Sequence, residues 1–390
     1  MPDRTALSRR TFFGGLAALG YAGAVTPRLL AQGTGGQAAA ATVPRPRASL
    51  ADYDALAKLS SNENPYGPPE SVIQAMTKAF KYANRYGYPD GDVVQAIATH
   101  HGVKTENIML GAGSGEILDL VGWALLEGGK KVVGVEPSYS SVYSHATTVR
   151  GEAIRLPLGK DFRQDVGQIV KAVKSHYRDI GFVYLCNPNN PTGVIITKAE
   201  IKSLLDGLPE DVPVLVDEAY HHYVEDPAYA TSVPYVTEGR PVIIARTFSK
   251  ISALAGMRLG YAVAPPEFIQ RMRRYSTGSI NALVKWGGAA AIKDQASMDK
   301  VRRLTVDLRE RTIADLKALG YESIPSQANF FMVHLKRPVQ PVIEEFRKKG
   351  VAVGRPFPPL TEHLRVSVGT ADEMARFIAA FKTLEARAAL

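Results

Sequence analysis

The sequence predicts an α/β fold, a mostly parallel sheet with helices on both faces, joined to a smaller α+β domain. Three observations carry this reading. Between residues 107 and 264, short runs rich in β-branched residues alternate with longer amphipathic stretches, the pattern of strands connected by crossover helices. After residue 295 the pattern changes to one long helix followed by two strand-like runs with helices between and after them. At 390 residues the chain is also longer than a single core usually organises, so two domains are expected.

The first 48 residues stand apart from this fold. "SRRTFFGG" at 8 to 15 is a twin-arginine signature, followed by the apolar run "LAALGYAGAV" and a small-residue site at Ala22, Gly23 and Ala24. Residues 32 to 46, rich in Ala, Gly and Pro, read as a tether. The signal resembles that of the bacterial twin-arginine pathway, which exports folded proteins. Periplasmic or exported location is therefore expected, with transient membrane contact through the signal, or cytoplasmic location where the signal is not used.

Beyond the tether, residues 49 to 84 are assigned to the small lobe, 85 to 294 to the large domain and 295 to 390 to the small C-terminal domain. Within the large domain "KVVGVE" (131 to 136), "GFVYLC" (181 to 186), "VPVLVD" (212 to 217), "PVIIAR" (241 to 246) and "LGYAVA" (259 to 264) read as buried strands. "TKAEIKSLLDGL" between two of them has helical spacing. A long helix over 299 to 320 ends on a glycine. It is followed by strand-like "ANFFMVHL", helix-like "VIEEFRKKG", strand-like "HLRVSVGT" and a last helix from Ala371.

Composition narrows the function. With 45% hydrophobic and 22% charged residues the chain supports a substantial core. Its net charge of +9 comes from 47 basic and 38 acidic residues that are interleaved, with no basic tract, so no nucleic-acid partner is expected. The single cysteine, Cys186, excludes an intrachain disulfide and cysteine-based zinc sites, and reads as a buried strand residue. His221 and His222 are adjacent, a spacing that suits no common metal site, and no metal is expected.

Four motifs, "EPSYS", "CNPNNPTG", "DEAYHHY" and "RTFSK", each follow a predicted strand, and ligands of open parallel sheets bind at that carboxyl edge. "TFSKISALAGMRLGY" presents Lys250 and Arg258 with no acid to pair either, which suggests an anion faced by both. "GAGSGEILDL" enters an amphipathic helix whose first N–H groups, near Ser114 and Gly115, form a phosphate cradle or simply a capped helix start. It is no dinucleotide fingerprint, because Glu116 stands at the third glycine position. Asp217 ends an apolar strand, where a carboxylate is costly unless it pairs, either with a protonated ring nitrogen or with its own turn. Tyr220 follows within reach of the same ligand. Asn190 offers an amide from an unusually elaborate turn, and Tyr139 is a stacking surface for a flat ring or a plain surface aromatic.

An aldehyde for Lys250, a pyridine nitrogen for Asp217, a phenolic oxygen for Asn190 and Tyr220, a flat ring for Tyr139 and a phosphate for the Ser114 turn together describe pyridoxal 5'-phosphate. At this point the sequence resembles the fold-type I aminotransferases, most closely the histidinol-phosphate aminotransferase group, from "LSSNENPYGPP" through "RYGYPDG", "GAGSGEIL", "CNPNNPTG", "VDEAY" and "TFSKISALAGMRLGY" to "LRVSVGT".

That resemblance implies a role for each residue. Lys250 forms a Schiff base with the cofactor and later shuttles the substrate proton. Asp217 keeps the ring nitrogen protonated, while Tyr220 and Asn190 bond the ring oxygen. Tyr139 stacks on the ring, and Ser114, Gly115, Ser249 and Arg258 hold the phosphate with support from Thr247. Tyr88 reaches the phosphate in the partner subunit, which implies a homodimer. Arg365 binds the substrate α-carboxylate, Arg355 lies near the arginine that meets a distal phosphate, and Asn64 sits in a segment folded over the site at the substrate. The implied reaction moves an amino group from an L-amino acid or a histidinol-phosphate-like donor to a 2-oxo acid such as 2-oxoglutarate. A decarboxylase or lyase on the same scaffold, and a non-catalytic amino-acid-sensing module, are the alternatives.

Overall fold

The computed structural model describes residues 49–148 and 151–388. The export signal and tether expected over residues 1 to 48 lie outside the described residues. Leu50–Leu390 cluster as one compact unit.

β1 (Ala57–Leu59) is the first strand among the described residues and follows a short helix, Leu50–Ala55. The next seven strands, β2 (Ile108–Gly111), β3 (Lys131–Glu136), β4 (Glu152–Pro157), β5 (Ile180–Cys186), β6 (Val214–Asp217), β7 (Val242–Thr247) and β8 (Gly260–Val263), form one sheet in the order β2-β8-β7-β6-β5-β3-β4. β3 to β7 pair in parallel, as the alternation of strand and helix requires. Every residue of β5, β6 and β7 is buried, which is why these strands read as continuous apolar runs. Successive side chains enter opposite cores. Val183, Val214, Val216, Val242 and Ile244 join the helices Val93–His101, Val166–Ser175, Lys198–Gly207 and Ala282–Lys293. Phe182, Tyr184, Cys186, Leu215 and Ile243 join the helices Ser114–Leu125 and Pro266–Arg273. Helices on both faces are thus the observed architecture.

Three strands of this sheet differ from the sequence reading. β8 is antiparallel to both β7 and β2. The return from β7 holds only the turn around Lys250 and one 3-10 turn (Ala255–Met257), too little chain for a crossover helix. β2, four residues with a single β-branched side chain, is defined by its pairing with β8. β4 is an edge strand with no fully buried residue, so the continuous apolar run is missing.

The remaining strands are β9 (Ser323–Ile324), β10 (Phe330–His334), β11 (Val351–Val353) and β12 (His363–Ser367). An antiparallel sheet has the order β12-β10-β9, and β1 pairs in parallel with β11. A third core joins Leu59, Phe331, Val353, Leu364 and Val366 to Phe346 and Phe377 of the helices Val339–Lys348 and Ala371–Ala388. The long helix runs over Gln295–Ala318. It starts earlier than read because the Asp294 side chain accepts the Ser297 N–H at 3.1 Å. Gly320 follows its end at φ +87°.

Candidate active site

β2 and β7 both run antiparallel to β8, so the carboxyl ends of β2, β3, β5, β6 and β7 share one edge of the sheet. The turns leaving these ends enclose a cavity of about 180 Å³. Ser114, Gly115, Tyr139, Asn190, Asp217, Tyr220, Thr247, Ser249, Lys250 and Arg258 all line it, together with Ala219 and Ala255, which the sequence did not single out.

One end of the cavity is built for an anion. The helix Ser114–Leu125 begins at Ser114 itself, with Gly113 before it at φ +83° and no side-chain cap. Ser114 is therefore not the N-cap, and the first N–H groups of the helix have no side-chain cap to take them. Glu116 reaches back to accept the Ala112 N–H at 2.6 Å, a local reason for an acid at that position. A Cβ on Gly113 would lie 2.0 Å from Arg258 Nη2, so glycine lets the guanidinium close over this turn. Arg258, itself left-handed at φ 58°, donates to the Ser249 hydroxyl (3.4 Å) and to the carbonyls of Ala255 (3.0 Å) and Ala112 (3.1 Å). Thr247 Oγ1 donates to Ser249 Oγ at 2.9 Å and accepts the Ser249 N–H at 3.0 Å, which fixes the turn before Lys250. Among the described residues Arg258 has no carboxylate partner.

At the centre, Lys250 Nζ lies 5.6 Å from the Tyr220 ring centroid and donates to the Ser61 carbonyl at 3.3 Å. Burial, with the positive charge of Arg365, lowers the Lys250 amine to about 8. Asp217 is 3% exposed, and burial pushes its carboxyl up to about 6 against the Ala219 N–H (3.1 Å) and the charge of Lys250. Asp217 bonds its own turn and also lines the cavity. In the preceding turn, Asn187 and Asn189 bond the carbonyls of Ile196 and Pro137, leaving Asn190 to face the cavity. Tyr139 stands at its wall, 42% exposed.

Arg365 on β12 donates to Asn190 Oδ1 at 2.7 Å and to the Ser60 carbonyl at 2.6 Å. Its Nε is buried without a partner. Burial, and the charge of Arg355 beside it, lower the guanidinium to about 10.

Three predicted residues lie elsewhere. Asn64 is not at the cavity: its amide donates to the Ile251 carbonyl at 2.8 Å and accepts the Tyr66 N–H at 3.0 Å, which braces the turn after Lys250. Tyr88 is outside the cavity of its own chain and donates to the Ile280 carbonyl at 2.7 Å. Arg355 is exposed and packs 4.3 Å from the Phe357 ring centroid, against which Arg365 lies at 4.5 Å. Sequence reasoning missed Asn62, buried and left-handed at φ 54°, which donates to the Tyr220 hydroxyl at 3.1 Å. The available signal was an asparagine in a polar turn with no periodicity of its own.

Residues 55–381 match the aminotransferase class I and II family. This chain is a class I and II aminotransferase. A histidinol-phosphate aminotransferase of Moorella thermoacetica is 37% identical to it over 334 residues, 84% of this chain and 85% of that one. The solved histidinol-phosphate aminotransferase from Sinorhizobium meliloti, in complex with pyridoxal-5'-phosphate, superposes with a TM-score of 0.76 at 26% identity, covering 84% of this chain and 91% of that one. The aromatic aminotransferase from Pyrococcus horikoshii shares the fold with a TM-score of 0.76 at 22% identity, covering 87% and 100%. The aminotransferase cavity has the chemistry that pyridoxal 5'-phosphate requires: an uncapped helix start and, among the described residues, an arginine with no carboxylate partner at one end, an amine with a lowered pKa, and a buried carboxylate with a raised one.

Proposed function

We propose that this aminotransferase moves the amino group of an L-amino acid or a histidinol-phosphate-like donor to a 2-oxo acid such as 2-oxoglutarate by a ping-pong mechanism. The observation that carries the reading is the meeting of Lys250, Asp217 and the Ser114 helix start in one cavity, with the unpartnered Nε of Arg365 beside it. The donor class is supported by the histidinol-phosphate aminotransferases among the relatives.

The chemistry that pyridoxal 5'-phosphate supplies when bound is that of an aldehyde carbon joined to an electron-accepting ring. The residues do the rest. Ser114, Gly115, Ser249 and Arg258 hold the phosphate, with Thr247 fixing the Ser249 hydroxyl. Asp217 keeps a proton on the ring nitrogen. Asn190 and Tyr220 bond the ring oxygen, and Tyr139 covers the ring face. Lys250, as a neutral amine, would take the proton from the substrate Cα and deliver it to the cofactor's former aldehyde carbon, a transfer its lowered pKa favours near neutrality. Arg365 takes the α-carboxylate side-on through Nε and the remaining Nη2 proton, since Nη1 is committed to Asn190.

Half-reactions test the class: adding histidinol phosphate, and separately an L-amino acid such as glutamate, to the holoenzyme should convert its visible absorption to that of the amine form of the cofactor, without release of carbon dioxide from the amino acid. Carbon dioxide release, or an unchanged spectrum with every amino donor tried, would refute transamination. Arg365→Lys should raise KM for an L-amino acid donor and lower its kcat/KM by about 100-fold, because an ammonium cannot reproduce the bidentate contact with the α-carboxylate. An unchanged KM would move the carboxylate site elsewhere.

We further read 49 to 84 and 295 to 390 as one small lobe, a division supported by the β1–β11 pairing and the shared third core. A homodimer completed by Tyr88 is supported by the exposed Ile73, Phe80 and Tyr86 nearby in sequence, and equilibrium sedimentation tests it. Export rests on the twin-arginine segment alone. Replacing Arg9 and Arg10 by Lys should retain the protein in the cytoplasm, and unchanged fractionation would refute it.

A further inference from the structure

We infer that Asn62 is a positioning residue that sets the direction of the Tyr220 hydroxyl proton, holding it toward the cavity as a donor. The inference rests on the aminotransferase reading above and adds a residue to it. Arg365 Nη1 donates to Asn190 Oδ1 at 2.7 Å, and a guanidinium only donates, so the Asn190 amide must present its NH₂ group to Tyr220, at 3.2 Å. On the other side the Ser367 hydroxyl oxygen accepts the Asn62 N–H at 2.8 Å, and its own proton goes to Asn62 Oδ1, also at 2.8 Å. Asn62 therefore also presents an NH₂ group to Tyr220, at 3.1 Å.

Two N–H donors now occupy the two acceptor sites of the phenol oxygen. Neither amide can take the Tyr220 proton, and the cavity is the direction left for it. Asn62 is fixed in this pose. Its left-handed backbone suits asparagine, its carbonyl accepts Asn329 Nδ2 at 3.0 Å, and the residue is 2% exposed. The two residues before it accept from Arg365 and Lys250 through the Ser60 and Ser61 carbonyls, so the segment that orients Tyr220 also touches both cations of the site.

A donor aimed at the cofactor's ring oxygen stabilises the anion there and lowers the pH at which the bound cofactor changes its visible absorption; turning the donor away raises that pH. Asn62→Asp tolerates the same backbone and accepts the Tyr220 proton. In the holoenzyme the absorption midpoint should rise by about one pH unit. Ser367→Ala, which adds no charge, frees the Asn62 amide to turn and should shift the midpoint the same way by less.

Because Asn62→Asp also brings a charge, the deciding comparison repeats that substitution in a Tyr220→Phe background, where there is no proton to redirect. The shift should fall to less than half. An equal shift in both backgrounds, or no shift in either single variant, overturns the inference. Thermal unfolding of the apo proteins separates this from a packing role, which would lower stability and cofactor content while leaving the midpoint in place. A wild-type holoenzyme with no visible absorption band, or one inert to every amino donor, would instead sink the aminotransferase reading itself.

Discussion

Replacing Lys250 by alanine is expected to lower turnover by at least about 10⁴-fold while the protein stays folded. The loss is large because Lys250 is, among the described residues, the only amine lining the cavity, and it is assigned both the bond to the aldehyde and the proton transfer. The fold survives because the structure asks little of this side chain. It makes one hydrogen bond, to the Ser61 carbonyl at 3.3 Å, while the turn around it is held by Thr247, Ser249 and the Phe248 N–H to the Leu259 carbonyl. Removing a cation whose pKa is lowered to about 8 also removes a desolvation cost. Lys250→Arg should be as inactive as Lys250→Ala, since a guanidinium keeps the charge but does not give up its proton near neutrality. Single-turnover kinetics with one amino donor and urea unfolding of the same preparations check both halves. Activity within about tenfold of wild type in either variant would remove Lys250 from the proton path.

The site was legible where its chemistry is local. Lysine in a small-residue turn, an acid ending an apolar strand and a glycine-rich helix entry each declare a chemical need within a few residues, and all three line the cavity. The central strands were legible because burial on both faces leaves a continuous apolar run. β8 carries the same run in the opposite direction, and composition does not record direction; only the short return after Lys250 does. Asn62 was illegible because its partner Tyr220 is 158 residues away in the chain. Asn64, two positions later in the same turn, was assigned to the substrate, but the structure spends its amide on the Lys250 turn. Two asparagines of identical composition and nearly identical context thus differ in role by which way the backbone turns, and Asn62 is the one in the left-handed region.

Asp217→Asn should separate stability from activity, raising one and lowering the other. In the apo protein Asp217 is buried with its carboxyl held up to about 6, compared with an ordinary 3.8. Its folded pKa lies above its unfolded one, so the folded state binds the extra proton between these values and stability falls as pH rises through that window. Below pH 3.8 the carboxyl is neutral in both states and the penalty vanishes; above 6 it is fully present, on the order of 3 kcal/mol. Asparagine keeps the oxygen that accepts the Ala219 N–H and carries no charge. The apo variant should therefore match wild type in strong acid and exceed it in stability above pH 6. With cofactor bound the order should reverse, because the partner proposed for the buried carboxylate is the protonated ring nitrogen. Losing that pair should cost about 3–5 kcal/mol, a fall of roughly 10²- to 10⁴-fold in kcat/KM. Urea unfolding of the apo proteins at a series of pH values, beside kcat/KM of the holoenzymes, reads both effects. A stability gap that did not change between pH 4 and 7 would show that Asp217 does not titrate as a buried unpaired acid, and a fully active variant would show that the ring nitrogen does not depend on it.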